Sequence, residues 1–276
     1  MAAAALAPAA LAVAMPRNRA RDAALLSLNM WAYLAAYELP HDQPEALAAR
    51  ARIDYPIAAD RLIGLGTPPT LRLQHGLSTP GEINRPERVL VWCHWMWFLV
   101  PHASVLYVRR RAPERFEAAA ARMYAVFDLG AACYWVIPTA PPWWAARRGR
   151  FDSDGAPALR RMMIEYGEQF WGERWPALYA GLGGNPLAAM PSLHFATSLM
   201  SARLLTEVDP VAGAVGWTYA VLLGLALVYL GEHYAADLVG GAVLAEGVRR
   251  GAPRAAPLAR RVARVLVVLE HRASDG

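Results

Sequence analysis

The sequence predicts an all-α fold, a polytopic membrane bundle of about six transmembrane helices with amphipathic interfacial helices in its outer loops. Three observations lead there. The chain is 56% hydrophobic and 18% charged, where a soluble domain carries about a quarter charged residues. Its charges are clustered, leaving long neutral runs between them. The clusters are arginine-rich and flank those runs: all 28 basic residues are Arg, none is Lys, and the formal net charge is +5. Basic groups at the ends of apolar runs point to anionic lipid headgroups as partners and away from nucleic acid.

Residues 1–22 read as an N-terminal tail. Its Ala-rich start lacks a basic region and precedes Arg17, Arg19 and Arg21, so it is expected to be disordered or surface-lying and not a signal peptide. Residues 23–250 form the membrane-embedded domain, with spans at 23–39, 89–108, 118–136, 187–205, 211–230 and 233–248. A span needs about 20 mainly apolar residues, which the second, fourth and fifth meet best and the first and sixth only marginally. Residues 251–276 form a basic, amphipathic tail expected on the cytoplasmic leaflet. Cys93 and Cys133 lie in apolar runs and are read as free, buried thiols.

Arginine placement orients the bundle in the cell membrane. Arg17, Arg19 and Arg21, then Arg109 to Arg111, then Arg249, Arg250 and Arg254 all fall on one side, which the positive-inside rule makes cytoplasmic. Both termini are then cytoplasmic, and spans four and six both begin at the extracytoplasmic surface. Two long loops lie on that outer side, 41–88 and 139–186. The second carries Leu159, Met162, Met163, Tyr166 and Phe170 on one helical face, extended by Trp171 and Trp175. That is the pattern of a helix lying in the interface or, equally, of one packing on the bundle. Asp128, near the middle of span three, is expected to contact His94, His102 or Arg122, because a lone carboxylate is costly there. His102, which follows Pro101, reads as a packing or kink feature.

Two short motifs carry chemistry. Pro191-Ser192-Leu193-His194 opens span four, and His233-Tyr234-Ala235-Ala236-Asp237 opens span six. His233 and Asp237 are four apart, so on a helix they share a face, and the carboxylate fixes the tautomer of the imidazole. A second imidazole, His194, at another helix start completes a pair suited to phosphoryl transfer: one attacks phosphorus, the other protonates the leaving oxygen.

In Asn185-Pro186-Leu187-Ala188-Ala189-Met190-Pro191-Ser192-Leu193-His194 and Tyr229-Leu230-Gly231-Glu232-His233-Tyr234-Ala235-Ala236-Asp237, the chain resembles the type 2 phosphatidic acid phosphatase superfamily, over roughly residues 85–250. More narrowly it resembles the inositol phosphorylceramide synthase-like branch, with Pro-Ser-Leu-His for Pro-Ser-Gly-His and a proline element at Pro138 to Trp144. The resemblance implies that His233 is the nucleophile, forming a phosphohistidine, that Asp237 orients it, and that His194 protonates the leaving alkoxide and then activates the acceptor. It implies substrate contacts from Ser192, to a phosphate oxygen, and from Tyr234, and no metal or other cofactor. The substrate would be a membrane lipid phosphate, met at the extracytoplasmic face by domain 23–250. The helix starts of spans four and six would add free amides and dipoles that favour a phosphate.

The chain departs from the wider pattern in its cations. It has no Lys, Leu227 stands where the superfamily has an Arg before the nucleophile, and Trp143 follows Pro141-Pro142 where the branch often has Arg. Arg147 and Arg148 are the expected replacements, with Arg85 and Arg88 as second choices. Glu232 reads either as a tuner of His233 or a holder of an acceptor hydroxyl, or as a solvent-facing carboxylate. Three functions compete: a lipid phosphatase, a phospho-headgroup transferase with an alcohol acceptor, and a non-catalytic lipid-binding protein. Intact Ser192, His194, His233 and Asp237 favour catalysis.

Overall fold

The computed structural model describes residues 2–16, 18–151, 159–182 and 184–274, and these residues fold as helices and connecting loops with no strand. Arg17 of the first arginine cluster lies outside the described residues. In chain order, α1 (Ala2–Ala14) precedes α2 (Arg19–Glu38), which starts where the Asn18 side chain accepts the Arg21 amide. Three short helices follow in the 41–88 loop: α3 (Pro44–Arg50), α4 (Asp54–Ile63) and α5 (Pro69–Leu77), the first and last opened by proline. A capping box between Asn84 and Glu87 opens α6 (Arg85–Met96), and α7 (Val100–Arg111) and α8 (Phe116–Val136) come next. The 139–186 loop contains α9 (Pro142–Ala146), α10 (Met162–Trp171) and α11 (Trp175–Leu182). The last three helices are α12 (Leu193–Thr206), α13 (Pro210–Tyr229) and α14 (Ala235–Ser274). Asp209 makes the tight turn into α13 by accepting the Val211 and Ala212 amides.

The bundle core lies between α7, α8, α12 and α14, where Val108, Met123, Val126, Met200 and Leu204 are buried. Helix α13 packs along α12 and α6, and the loop helices pack on the ends of this bundle: α4 on α14, α5 on α13, α10 on α6. Gly241 sets the closest approach. A Cβ there would stand 2.5 Å from the Ser192 carbonyl oxygen, so only glycine lets α14 lie against the start of α12.

The architecture is all-α, as the hydropathy pattern requires, but the helices differ from the expected spans. Only α13, among the described helices, is long and apolar enough by itself to cross a membrane. Helices α6 and α7 pass that test together, bent by 59° at the break before Pro101, where a kink was expected. Helix α12 has 14 residues because 187–192 is not helical, and α8 carries Glu117, Arg122 and Asp128.

The remaining expectations fare differently. Most of the N-terminal tail is helical, and α1 packs on α2 and α14. Residues 251–274 continue α14, which runs 40 residues through Pro253 and Pro257, and Arg21 of α2 pairs with Glu270 near its end. Met162, Met163, Tyr166 and Trp175 are buried against α6 and α13, so α10 packs on the bundle, with Phe170 alone of that face exposed. Asp128 is exposed and makes none of the expected contacts. Arg122 instead forks onto Glu207 at 2.7 and 2.8 Å, and His102 stacks near Phe127. Cys93 and Cys133 are free thiols, Cys133 exposed where burial was expected.

Candidate active site

The starts of α12 and α14 meet at a line of three side chains. His233 Nδ1 lies 3.2 Å from Asp237 Oδ2, and His233 Nε2 lies 3.3 Å from His194 Nδ1. Assigned from this network, His233 carries its proton on Nδ1 and donates it to the carboxylate, which leaves a lone pair on Nε2. His194 Nδ1–H then donates to that lone pair. The arrangement is a carboxylate-oriented imidazole facing a second imidazole.

Each group is held by its surroundings. The Ser192 amide donates to the Asp237 carbonyl at 3.0 Å, joining the two motifs directly. Tyr134 of α8 donates to the Pro191 carbonyl, and the Trp97 indole packs 4.1 Å from the His194 ring. Before His233 the chain turns sharply at Gly231, whose φ of 82° is left-handed. A Cβ at Gly231 would meet Leu159 at 2.8 Å and the Arg160 carbonyl at 2.9 Å. Leu227 is fully buried, and its carbonyl accepts both the Glu232 and His233 amides at 3.0 Å.

His194 and His233 open into a cavity of about 390 Å³ walled by α2, α6, α7, α8 and the second loop's α9, α10 and α11, with Trp95, Trp97, Trp143 and Trp175 among its aromatic lining. Arg161 is the one arginine among the described lining residues. It forks onto Glu232 at 2.8 and 2.9 Å, donates to the Tyr179 hydroxyl at 2.8 Å and lies 3.9 Å over the Trp143 ring. Glu232 is therefore buried in an ion pair and is not solvent-facing.

With that geometry in place, the comparison with known families is decisive. The model of the PAP2 superfamily matches residues 57–248, well over half of the chain. The chain belongs to the PAP2 superfamily. No curated protein and no solved structure matches it. The matched region begins in α4, so it takes in the loop helices as well as the motif helices.

Four of the residues expected to contact substrate, Arg147, Arg148, Ser192 and Tyr234, are not among the lining residues of this cavity. Arg147 and Arg148 follow α9, are exposed, and cover Trp143 and Trp144 from outside the cavity lining. Arg85 is exposed and Arg88 lies near Tyr166, so neither replaces them. Ser192 is fully buried and its hydroxyl oxygen accepts the Phe195 amide as the cap of α12. Tyr234 is fully buried with Ile57, Ala145 and Phe151, away from the cavity. The helix starts are also less open than expected. Asp60 of α4 accepts the Ala236 amide at 2.8 Å, and Asp237 accepts the Tyr234 amide at 2.9 Å, so carboxylates already occupy these α14 donors.

The loops supply polar residues that the motifs did not announce. Asp60 is fully buried, with Oδ2 unpartnered, and burial pushes its carboxyl up to about 6. Gln74 donates to the Arg160 and Tyr229 carbonyls and accepts the Arg160 amide, tying α5 to the segment before α10 and to the end of α13. Thr139 bridges Arg52 and Ala188, bringing both loops to the segment before α12. Isolated Asp, Gln and Thr residues in polar loops carry no periodic or motif signal that would have marked them.

Proposed function

We propose that this PAP2 member is a multi-pass cell-membrane enzyme of about six spans that takes a phosphoryl group from a phosphorylated lipid at the extracytoplasmic face, through a phosphohistidine on His233. The observation that carries the reading is the Asp237–His233–His194 line ending in an aromatic-walled cavity. Exposed Val211, Val215 and Val221 on α13, Val239 and Val243 on α14 and Leu106 on α7 give the bundle an apolar outer surface suited to lipid. On the C-terminal half of α14, exposed Leu258, Val262 and Val265 alternate with Arg260, Arg261 and Arg264, a face suited to anionic headgroups.

In the reaction, His194 enters as imidazolium. The His233 Nε2 lone pair attacks phosphorus, the bond to the lipid oxygen breaks, and the leaving alkoxide takes the His194 proton. Neutral His194 then deprotonates a water, whose oxygen attacks the phosphohistidine and returns the electron pair to Nε2. Asp237 stabilises the charge that develops on the His233 ring. Arg161 takes the cationic role expected of Arg147 and Arg148, turning from Glu232 to the phosphate oxygens. Within the superfamily we place the chain in the inositol phosphorylceramide synthase-like branch on its Pro-Ser-Leu-His and Tyr-Leu-x-x-His motifs. An alcohol acceptor is the second reading, favoured by the four tryptophans that line the cavity and limit water.

The test is rapid quench with a phosphorus-labelled lipid phosphate. The wild type should trap acid-labile, base-stable label on His233, and His233→Ala should trap none and turn over nothing. Label on another residue, or turnover by His233→Ala, overturns the assignment. Adding a polyol acceptor separates water from alcohol transfer.

A further inference from the structure

A third histidine belongs to this site. His94 of α6 lies outside both motifs, yet it is buried and lines the same cavity as His194, His233 and Arg161. Its ring stacks on His194 with centroids 5.0 Å apart and planes at 26°. The three imidazoles do not converge their nitrogens on one point, and no metal-holding cluster occurs among the described residues. The chemistry must therefore be that of a hydrogen-bonding ring. His94 Nδ1 is buried and has no partner. A buried N–H without an acceptor is rarer and costlier than a buried lone pair without a donor. The proton therefore belongs on Nε2, the nitrogen not sealed into the protein.

We infer that His94 is a substrate-binding residue, a neutral donor whose Nε2–H binds a non-bridging oxygen of the tetrahedral phosphate that Arg161 holds by charge. The inference rests on the phosphotransfer reading above and deepens it: donors that the motif lysine and arginines do not supply come from α6 and from the segment before α10. A neutral donor suits this place. Arg161, Glu232 and His233 are the charged or titratable groups that face His94 from the other elements, and His194 is stacked on it. A cation at His94 would sit against the His194 imidazolium that the reaction requires.

Orthovanadate, a tetrahedral oxyanion, is the probe, titrated against detergent-solubilised full-length protein by tryptophan fluorescence. Trp97, in contact with His194, is the expected reporter. His94→Phe keeps a flat ring on His194 and removes both nitrogens, and His94→Gln restores an amide donor. The expected result is at least a tenfold weaker affinity for His94→Phe, partial recovery in His94→Gln, and a raised KM with a smaller change in kcat. Wild-type affinity in a folded His94→Phe overturns the inference, as does an equal loss in both variants, which would mark a packing role. A wild type that binds no orthovanadate sinks the phosphotransfer reading itself, an outcome distinct from the other two.

Discussion

At the starts of α12 and α14 the reactive groups are placed largely by near neighbours: Asp237 holds His233 from four positions away, and Ser192 caps its own helix three positions on. In the loop helices packed against them, the polar contacts span long stretches of chain. Arg161 reaches Glu232 across 71 residues, Gln74 reaches Tyr229 across 155, and Asp60 reaches Ala236 across 176. Reactivity and placement therefore have separate sources. The motif ends carry the two facing histidines and their carboxylate, and the second loop supplies the arginine and much of the aromatic wall around them.

The largest expected effect is at Asp237. Asp237→Asn keeps the shape but favours the wrong His233 tautomer, and turnover should fall by about a thousandfold, as in other oriented-histidine sites. A loss below about tenfold in single-turnover assays would mean that His233 is oriented by something else. Next comes the contact between the two motif helices. Gly241→Val forces α14 away from the Ser192 carbonyl, and a displacement of this size should lower kcat by about a hundredfold. Helical circular dichroism on the same preparation should show the bundle still folded.

The loop side is sharpened by setting arginine against arginine. Arg161→Gln should reduce kcat/KM by about ten- to a hundredfold, as loss of a charge-assisted phosphate contact would. Arg147→Gln with Arg148→Gln should change it by no more than about threefold, since exposed cations contribute little. Equal losses would return the role to the exposed pair. The smallest effect expected is at Asp60. Its carboxyl is raised by burial to about 6, so the folded state favours its protonated form. That contribution is full below the ordinary carboxylate range and is lost as pH rises through about 6. Asp60→Asn keeps an oxygen for the Ala236 amide without the buried charge. It should melt about 3 °C above wild type at pH 8 and with it at pH 4. Parallel melting curves across that range would remove the buried charge from the account.

What was legible in the sequence follows this same division. His-x-x-x-Asp is a local pattern, but the two residues do not share a helical face: His233 precedes α14, and Asp237 in its first turn reaches back to it. The helical class was likewise carried by hydropathy alone. Arg161 was not legible, because its partner is Glu232, and no local rule distinguishes it from Arg147 and Arg148 on the same loop. Ser192 and Tyr234 are expected in the site from the family resemblance of the motifs that contain them. Just before a helix starts, however, neighbouring side chains do not follow helical periodicity, and these two turn inward to cap and to pack. The six spans were read from hydropathy, which registers the apolar run at 89–108 but not the 59° break within it.

One consequence follows from the pairing of Arg161 with Glu232. The cavity has no uncompensated arginine among its described lining residues, and Asp237 adds a negative charge beneath His233. On the phosphotransfer function proposed above, a phosphate monoester dianion would bind with protons taken up by the histidines or by the ester itself. Binding and protonation become one linked equilibrium. Affinity for the phosphate should weaken as pH rises, where a pocket lined with lysine would hold its ligand nearly constant over the same range.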